Sequence, residues 1–325
     1  MSEERFLITG AMGCIGAWVV KNLVQEKVPT TVFDLSTNKQ RLELIMEAEE
    51  VAQVSFIHDD ITKTDSVKKA VLDNGITHII HLAALQVPFC KANPPLGAAV
   101  NVVGTVNVFE AAKAAGIQQV VYASSVAVYG RQDEYPYDLL PHDAPLHPHT
   151  HYGVFKQANE GTARIYWQDD GIASVGLRPY TLYGPGRDQG MTSTPTKAML
   201  AAARGERYHI SFGGYNGFQY TDDVAKIFIQ AARTPFSGAD VFNIKGTVAH
   251  MGEVVAAIEA AEPAATDNIT YEATELVLPM GQEDNELQHL LGNIPETPLA
   301  DGVAQTIIHF KQALADGRLP ETGKE

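Results

Sequence analysis

Tyr152 and Lys156 stand four residues apart and carry the clearest chemical signal in the chain. On a helix that spacing puts both side chains on one face. A phenol with an ordinary pKa near ~10 is a poor base at neutral pH unless a nearby positive charge favours its phenolate, and Lys156 can supply that charge. Upstream, Ser124-Ser125 closes a strand-like stretch, and the Ser125 hydroxyl can both donate and accept. The three residues read as a catalytic set: Tyr152 removes a hydroxyl proton, Ser125 orients that oxygen and Lys156 lowers the tyrosine pKa.

A second constellation opens the chain. Thr9-Gly10-Ala11-Met12-Gly13-Cys14-Ile15-Gly16 follows a short apolar run and leads into a helical pattern, so Gly10, Gly13 and Gly16 stand in a strand-to-helix turn. Without side chains there, the backbone can turn sharply and approach a pyrophosphate, which then lies against the positive end of the helix. Met12, Cys14 and Ile15 belong to the same turn. Cys14 reads either as a thiol activated by the helix start or as a small buried residue beneath a dinucleotide, and the second is expected. Asp34 ends the next strand; its carboxylate can accept from ribose hydroxyls and would repel a 2′-phosphate, which favours NAD over NADP. Asp59-Asp60-Ile61 and His81-Leu82-Ala83-Ala84 follow the third and fourth strands, at the edge where such sheets bind ligands. Asp60 can accept from an adenine amino group, or cap the helix near Asp65.

These groups need a scaffold that brings strand ends together. Apolar runs without alternation, at Phe6–Ile8, Thr31–Phe33, Val54–Ile57, His78–Leu82, Gln119–Ala123 and Ala173–Leu177, alternate with segments of helical spacing. Such runs suit strands covered on both faces, and the alternation predicts an α/β fold: a doubly wound, Rossmann-type parallel sheet with a smaller C-terminal substrate lobe. The expected division is 1–178 for the dinucleotide-binding domain, with 217–246 returning to it, and 179–325 for the substrate lobe. Of 325 residues, 45% are apolar, and 24 Lys+Arg against 39 Asp+Glu leave a charge of −15. That excess of acid argues against nucleic acid or an anionic membrane as partner. Two cysteines make no disulfide framework, and the acidic start Met1-Ser2-Glu3-Glu4 is unlike a signal peptide, so a cytoplasmic protein is expected.

The motifs together resemble the extended short-chain dehydrogenase/reductases, the family of NAD-dependent sugar-nucleotide epimerases and dehydratases. The resemblance runs through Thr9 to Gly16, Asp34, Asp60-Ile61, His81 to Ala84, Asn101-x-x-Gly104-Thr105, Ser124 to Gly130, Tyr152 to Lys156, Arg178-Pro179 and Tyr183-Gly184-Pro185. It implies NAD as cofactor, and adds Asn101, Pro179 and Leu182 to the cofactor contacts, with Tyr152 and Lys156 serving base and nicotinamide ribose. It also implies a homodimer in which the helices around Leu96–Ala115 and Tyr152–Asp169 pair across a two-fold axis. Nucleotide-sugar enzymes of the family generally carry an asparagine before Tyr-Gly-Pro and two later arginines that hold the diphosphate. Here those places read Thr181, Asn216 and the acidic Gln282–Glu286. A diphosphate without cations is costly to bury, so a small non-nucleotide sugar, polyol or sugar acid is the expected substrate.

Candidate substrate contacts are Gln86, Ser125, Arg187, Thr192 and Ser193. The Arg187 fork suits a carboxylate, or else pairs with Asp188. His147, His149 and His151 alternate in a loop, but lack fixed ligand geometry, and hydride transfer needs no metal; no metal is expected. An NAD-dependent dehydrogenase is therefore the first expectation. A nucleotide-sugar 4-epimerase of the UDP-glucose type is the alternative, and a catalytically silent dinucleotide sensor would need neither Tyr152 nor Lys156.

Overall fold

The computed structural model describes residues 4–320, and the acidic start at Met1–Glu3 lies outside them. The strands are β1 (Phe6–Thr9), β2 (Thr30–Asp34), β3 (Ser55–His58), β4 (His78–His81), β5 (Gln119–Ala123), β6 (Ala173–Arg178), β7 (Thr181–Tyr183), β8 (Tyr208–Ile210), β9 (Tyr215–Tyr220), β10 (Ala239–Asn243), β11 (Thr247–His250) and β12 (Ile269–Tyr271). Seven of them form one sheet in the order β10-β6-β5-β4-β1-β2-β3, and every neighbouring pair is parallel. The order reverses between β1 and β4, so the crevice for a ligand opens above those two strands.

Strand side chains alternate between two apolar layers, which is why the sequence runs are continuous rather than alternating. Leu7, Phe33, Ile79, Val120 and Tyr122 face one layer with Val67, Val71, Val108 and Phe109. Phe6, Ile8, Val32, Ile80 and Val121 face the other with Val19, Leu23, Val224 and Phe228. Full burial of each such side chain stabilises by about 1.5–3 kcal/mol.

Two smaller sheets follow, β11-β9-β7 and the pair β12-β8. Of the segment 217–246 expected to return to the main sheet, the helix Thr221–Arg233 packs against it and β10 extends it. Residues 215–220 instead form β9 and stay with the small sheet. Thr221, at the start of that helix, turns its hydroxyl to the Tyr183 carbonyl at 2.8 Å.

The helix His151–Asp170 presents Tyr152 and Lys156. Thr150 caps it by accepting from Gly153 N at 3.0 Å, and Gly171 ends it in the left-handed conformation at φ +68°. One turn beyond Lys156, Glu160 forms a fork-to-fork pair with Arg178 at the end of β6: Nε to Oε1 at 2.9 Å and Nη2 to Oε2 at 2.8 Å. Both side chains are less than a tenth exposed. Ser124 Oγ donates to Glu160 at 2.5 Å, while Arg178 Nη1 donates to Tyr129 Oη at 2.6 Å and to the His142 carbonyl at 2.5 Å. Removing one partner of a buried pair strands the other, at a cost of about 3–5 kcal/mol. Glu160→Gln should lower unfolding free energy in urea by that order, and Glu160→Gln with Arg178→Met should recover part of it. A loss below about 1 kcal/mol would mean the pair does not hold the helix to the sheet.

Candidate active site

A single cleft of about 1540 Å³ runs from Asp34, across the glycine turn, to Thr192. That exceeds the ~300–1,000 Å³ of an ordinary small-molecule pocket, so it has room for a dinucleotide and a second ligand. Gly10 has φ +71°, and a Cβ there would lie 2.5 Å from Ala83 N; one on Gly16 would lie 2.6 Å from Ala11 Cα. A side chain is excluded at Gly10 by the residues after β4 and at Gly16 by the turn's own backbone, and the turn lines the cleft at the start of the helix Cys14–Gln25. Asp34 holds the turn, accepting from Met12 N at 2.9 Å and Ser36 N at 2.8 Å. The glycine cradle, the helix N-terminus and a carboxylate at the end of β2 fit a dinucleotide.

Most of the expected cofactor contacts line this cleft: Gly10, Met12, Gly13, Cys14, Ile15, Gly16, Asp34, Asp60, Ile61, Leu82, Ala83, Ala84, Tyr152, Lys156, Pro179 and Leu182. Asn101 does not. It is buried in a π-helical turn, Ala99–Val103, and clasps Leu85, accepting from its N at 2.7 Å and donating to its O at 3.0 Å. It shapes the loop after β4 from behind. Asp60 accepts from Thr62 N at 2.9 Å, a local turn bond, while still lining the cleft. Burial pushes the Cys14 thiol up, opposed by the Arg187 charge and by a hydrogen bond with Thr221, which matches the small buried residue rather than an activated thiol.

Beneath the turn runs a neutral chain. Thr105 donates to the Asn101 carbonyl at 2.7 Å, so it accepts from His81 Nε2 at 3.0 Å, and His81 Nδ1 accepts from Thr9 at 2.7 Å. Burial, helped by the Lys156 charge, pushes His81 down to about 3.

Ser125, Tyr152 and Lys156 meet at the other end of the cleft. Tyr152 shares a hydrogen bond with Ser125, whose Oγ also accepts from Ala127 N at 3.2 Å. Lys156 Nζ donates to the Ala123 carbonyl at 2.5 Å and lies 5.7 Å from the centre of the Tyr152 ring. Burial pushes Lys156 down to about 8 and raises Tyr152, while the Ser125 bond and the Arg187 charge act to lower the phenol. The arrangement can take a proton from a hydroxyl held by Ser125, with the phenolate charge offset by Lys156.

Around Gly190 the substrate-side residues gather. A Cβ at Gly190 would lie 2.3 Å from Gln86 Oε1 and 3.4 Å from Arg187 Nη2, and Arg187 Nη2 donates to Thr192 Oγ1 at 2.8 Å. Ser193 is not among them: it is buried, donates to the Gly190 carbonyl at 2.8 Å, and serves the turn rather than the cleft. The alternative pairing of Arg187 with Asp188 is replaced by Arg41, which reaches Asp188 at 2.6 Å and the Met12 carbonyl at 2.6 Å. Arg41 escapes a reading of the sequence because nothing local links it to residue 188. The apolar wall at Leu276–Leu278 gives no signal either, since its residue types are those of any core. His147 and His149 both contact Glu134, at 3.4 and 2.7 Å, and no cluster of metal-ligand side chains occurs among the described residues.

Tyr152 as the base has a direct test. Tyr152→Phe should lower turnover by at least about 100-fold with NAD affinity near native, as expected for loss of a general base, whereas Lys156→Ala should weaken both. Near-native rates in Tyr152→Phe would remove it from the proton path.

Comparison with known proteins places the chain in a family. The model of the NAD dependent epimerase/dehydratase family matches residues 6–244. A UDP-glucose 4-epimerase of Mycolicibacterium smegmatis is 30% identical over 315 residues, covering 94% of this chain and 98% of that protein. The UDP-glucose 4-epimerase of Thermus thermophilus, solved with NAD, superposes with a TM-score of 0.80 at 25% identity, covering 95% of this chain and 99% of that one. The L-threonine dehydrogenase of Clostridium difficile reaches 0.83 at 20% identity over 96% and 99% of the two chains, which establishes the shared fold. The chain accordingly belongs to the NAD dependent epimerase/dehydratase family and is an NAD-dependent enzyme on the extended short-chain dehydrogenase/reductase fold.

Proposed function

We propose that the enzyme is a dehydrogenase that oxidises a hydroxyl of a small, non-nucleotide sugar, polyol or sugar acid. The observation that carries this reading is the shortage of cations where a nucleotide diphosphate would need them. Among the described residues, the Lys and Arg side chains that line the cleft are Arg41, Lys91, Lys156 and Arg187. Arg41 is engaged by Asp188 and Met12, and Lys156 by Ala123. Thr181 lines the cleft with a hydroxyl that has no hydrogen-bond partner among the described residues. Asn216 is buried outside the lining, donating to the Gly213 carbonyl at 3.4 Å. Gln282 is spent on the Arg178 and Ile244 carbonyls at 2.8 and 2.7 Å, and the stretch after it bonds Leu140. The later part of the chain that reaches the cleft is Glu275–Leu278, acidic and apolar.

In this reading Ser125 orients the substrate hydroxyl, Tyr152 takes its proton, and Lys156 offsets the phenolate and holds the nicotinamide ribose. Asp34 receives the adenosine ribose hydroxyls and Asp60 the adenine amino group. NAD, when bound, supplies the hydride acceptor. Gln86, Arg187 and Thr192 take the substrate's other oxygens. A nucleotide-sugar 4-epimerase is the second reading, favoured by the Mycolicibacterium smegmatis relative and by use of the same three residues.

The two readings separate in one experiment. Net NADH should accumulate with free sugars, polyols or aldonates, and UDP should bind the NAD complex weakly or not at all by calorimetry. Micromolar UDP affinity without net NADH would favour the epimerase.

A homodimer is part of the proposal. Leu96 and Val103 on one helical segment, and Val154 and Ile165 on the helix His151–Asp170, are each nearly half exposed. Large apolar side chains left open on neighbouring helices suit a two-fold pairing. Light scattering at micromolar concentration should give twice the chain mass, and a monomer would refute the pairing.

A further inference from the structure

We infer that the substrate is a hydroxy acid whose carboxylate is received by the Arg187 guanidinium; this rests on the dehydrogenase reading and narrows it. Arg187 lines the cleft, is only partly exposed, and has no acidic partner among the described residues. Its neighbour Asp188, which could have neutralised it, is taken by Arg41. What Arg187 does have is one neutral hydroxyl, Thr192 Oγ1 at 2.8 Å, and a buried Nε without a partner. A half-buried guanidinium left with a single neutral contact is a charge waiting for an anion, because removing it from water unpaired is costly.

The choice of a substrate carboxylate over the cofactor pyrophosphate follows from the surroundings. The pyrophosphate position is set by the glycine turn and the helix N-terminus, where Arg41 donates to the Met12 carbonyl while Arg187 acts on Cys14 through its charge. Arg187 points its Nη2 toward the Gly190 corner with Gln86 and Thr192, past the end of β4. Its charge is felt at Tyr152, after the larger effects of burial and the Ser125 bond, so it acts on the catalytic phenol as well as on the turn. A carboxylate placed there can be held by the fork while Gln86 and Thr192 take neighbouring hydroxyls. The outer wall is apolar at Leu276–Leu278 and Met191 and carries one carboxylate, Glu275.

The probes are short-chain aldonates, each paired with the alditol of the same carbon number, added to protein saturated with NAD. Calorimetry in the Tyr152→Phe background reads binding without turnover, while NADH release by the native enzyme reads the dehydrogenase assignment separately. At least one aldonate should bind about tenfold to a hundredfold tighter than its alditol, the range for a charge-assisted pair. Arg187→Met in that background should erase the advantage with NAD affinity unchanged, and Arg187→Lys should restore part of it. The inference is overturned if no aldonate outbinds its alditol. It is overturned equally if the Met variant loses NAD affinity yet keeps the acid preference, which would give the guanidinium to the pyrophosphate. Acid binding without NADH release would sink the dehydrogenase reading and leave the carboxylate site standing; oxidation of alditols with no preference for acids would do the reverse.

Discussion

One buried ion pair sets the geometry of the catalytic end. Glu160 and Arg178 lie almost out of solvent, and each is bonded to groups from other parts of the chain: Ser124 beside Ser125, Tyr129, the His142 carbonyl and, through Tyr129, Asn243 on β10. Burying both charges has a desolvation cost, so the pair is tolerated only because nearly all of its hydrogen-bonding capacity is met. The helix bearing Lys156 and the strand end bearing Ser125 are thereby fixed in relation to each other. A hydrophobic contact would hold them together as firmly, but would not define their rotation. A bidentate fork does, because it fixes direction as well as distance.

The cofactor end is held by different means. The glycine turn presses on Ala83, Asp34 bonds the turn's backbone, and the neutral chain of Thr9, His81, Thr105 and Asn101 ties the first strand to the fourth and the fourth to the helical segment behind it. Two contacts then join this half to the loop after β7: Trp18 Nε1 donates to the Pro185 carbonyl at 2.9 Å, and Arg41 reaches Asp188. The loop that carries Arg187 and Thr192 is thus anchored to the dinucleotide half, although it follows the last strand shared with that half's expected boundary.

Much of this is legible in the order of the amino acids. The glycine turn, Asp34, and the Ser125, Tyr152 and Lys156 set are local patterns whose chemistry depends on spacing along the chain, and all of them line one cleft. The strands are legible because a sheet covered on both faces leaves continuous apolar runs. What the sequence hides is pairing across long separations: Glu160 with Arg178 across 18 residues, Arg41 with Asp188 across 147. Charges distribute along a surface with no periodicity, so nothing in the sequence says which two will meet. Asn101 and Ser193 stand out as positions but not as roles, since a buried amide and a buried hydroxyl look the same in sequence whether they face a ligand or hold a loop. The small sheet is hidden for a related reason: β7 has only three residues, and Gly217 interrupts the pattern of β9.

The chain through His81 has a consequence for how the enzyme responds to acidity. His81 is locked as a neutral acceptor and donor, and is held down to about 3 against an ordinary value of 6.5. Near neutrality the His81 chain therefore carries no titrating group of its own, whereas Lys156, held at about 8, titrates close to that range. In acid the balance shifts. The unfolded chain takes up a proton at this histidine from pH 6.5 downward, whereas the folded chain refuses it until about 3, so folding stability is drained across that interval. The same burial that makes the cradle indifferent to pH under working conditions makes it a point of acid failure.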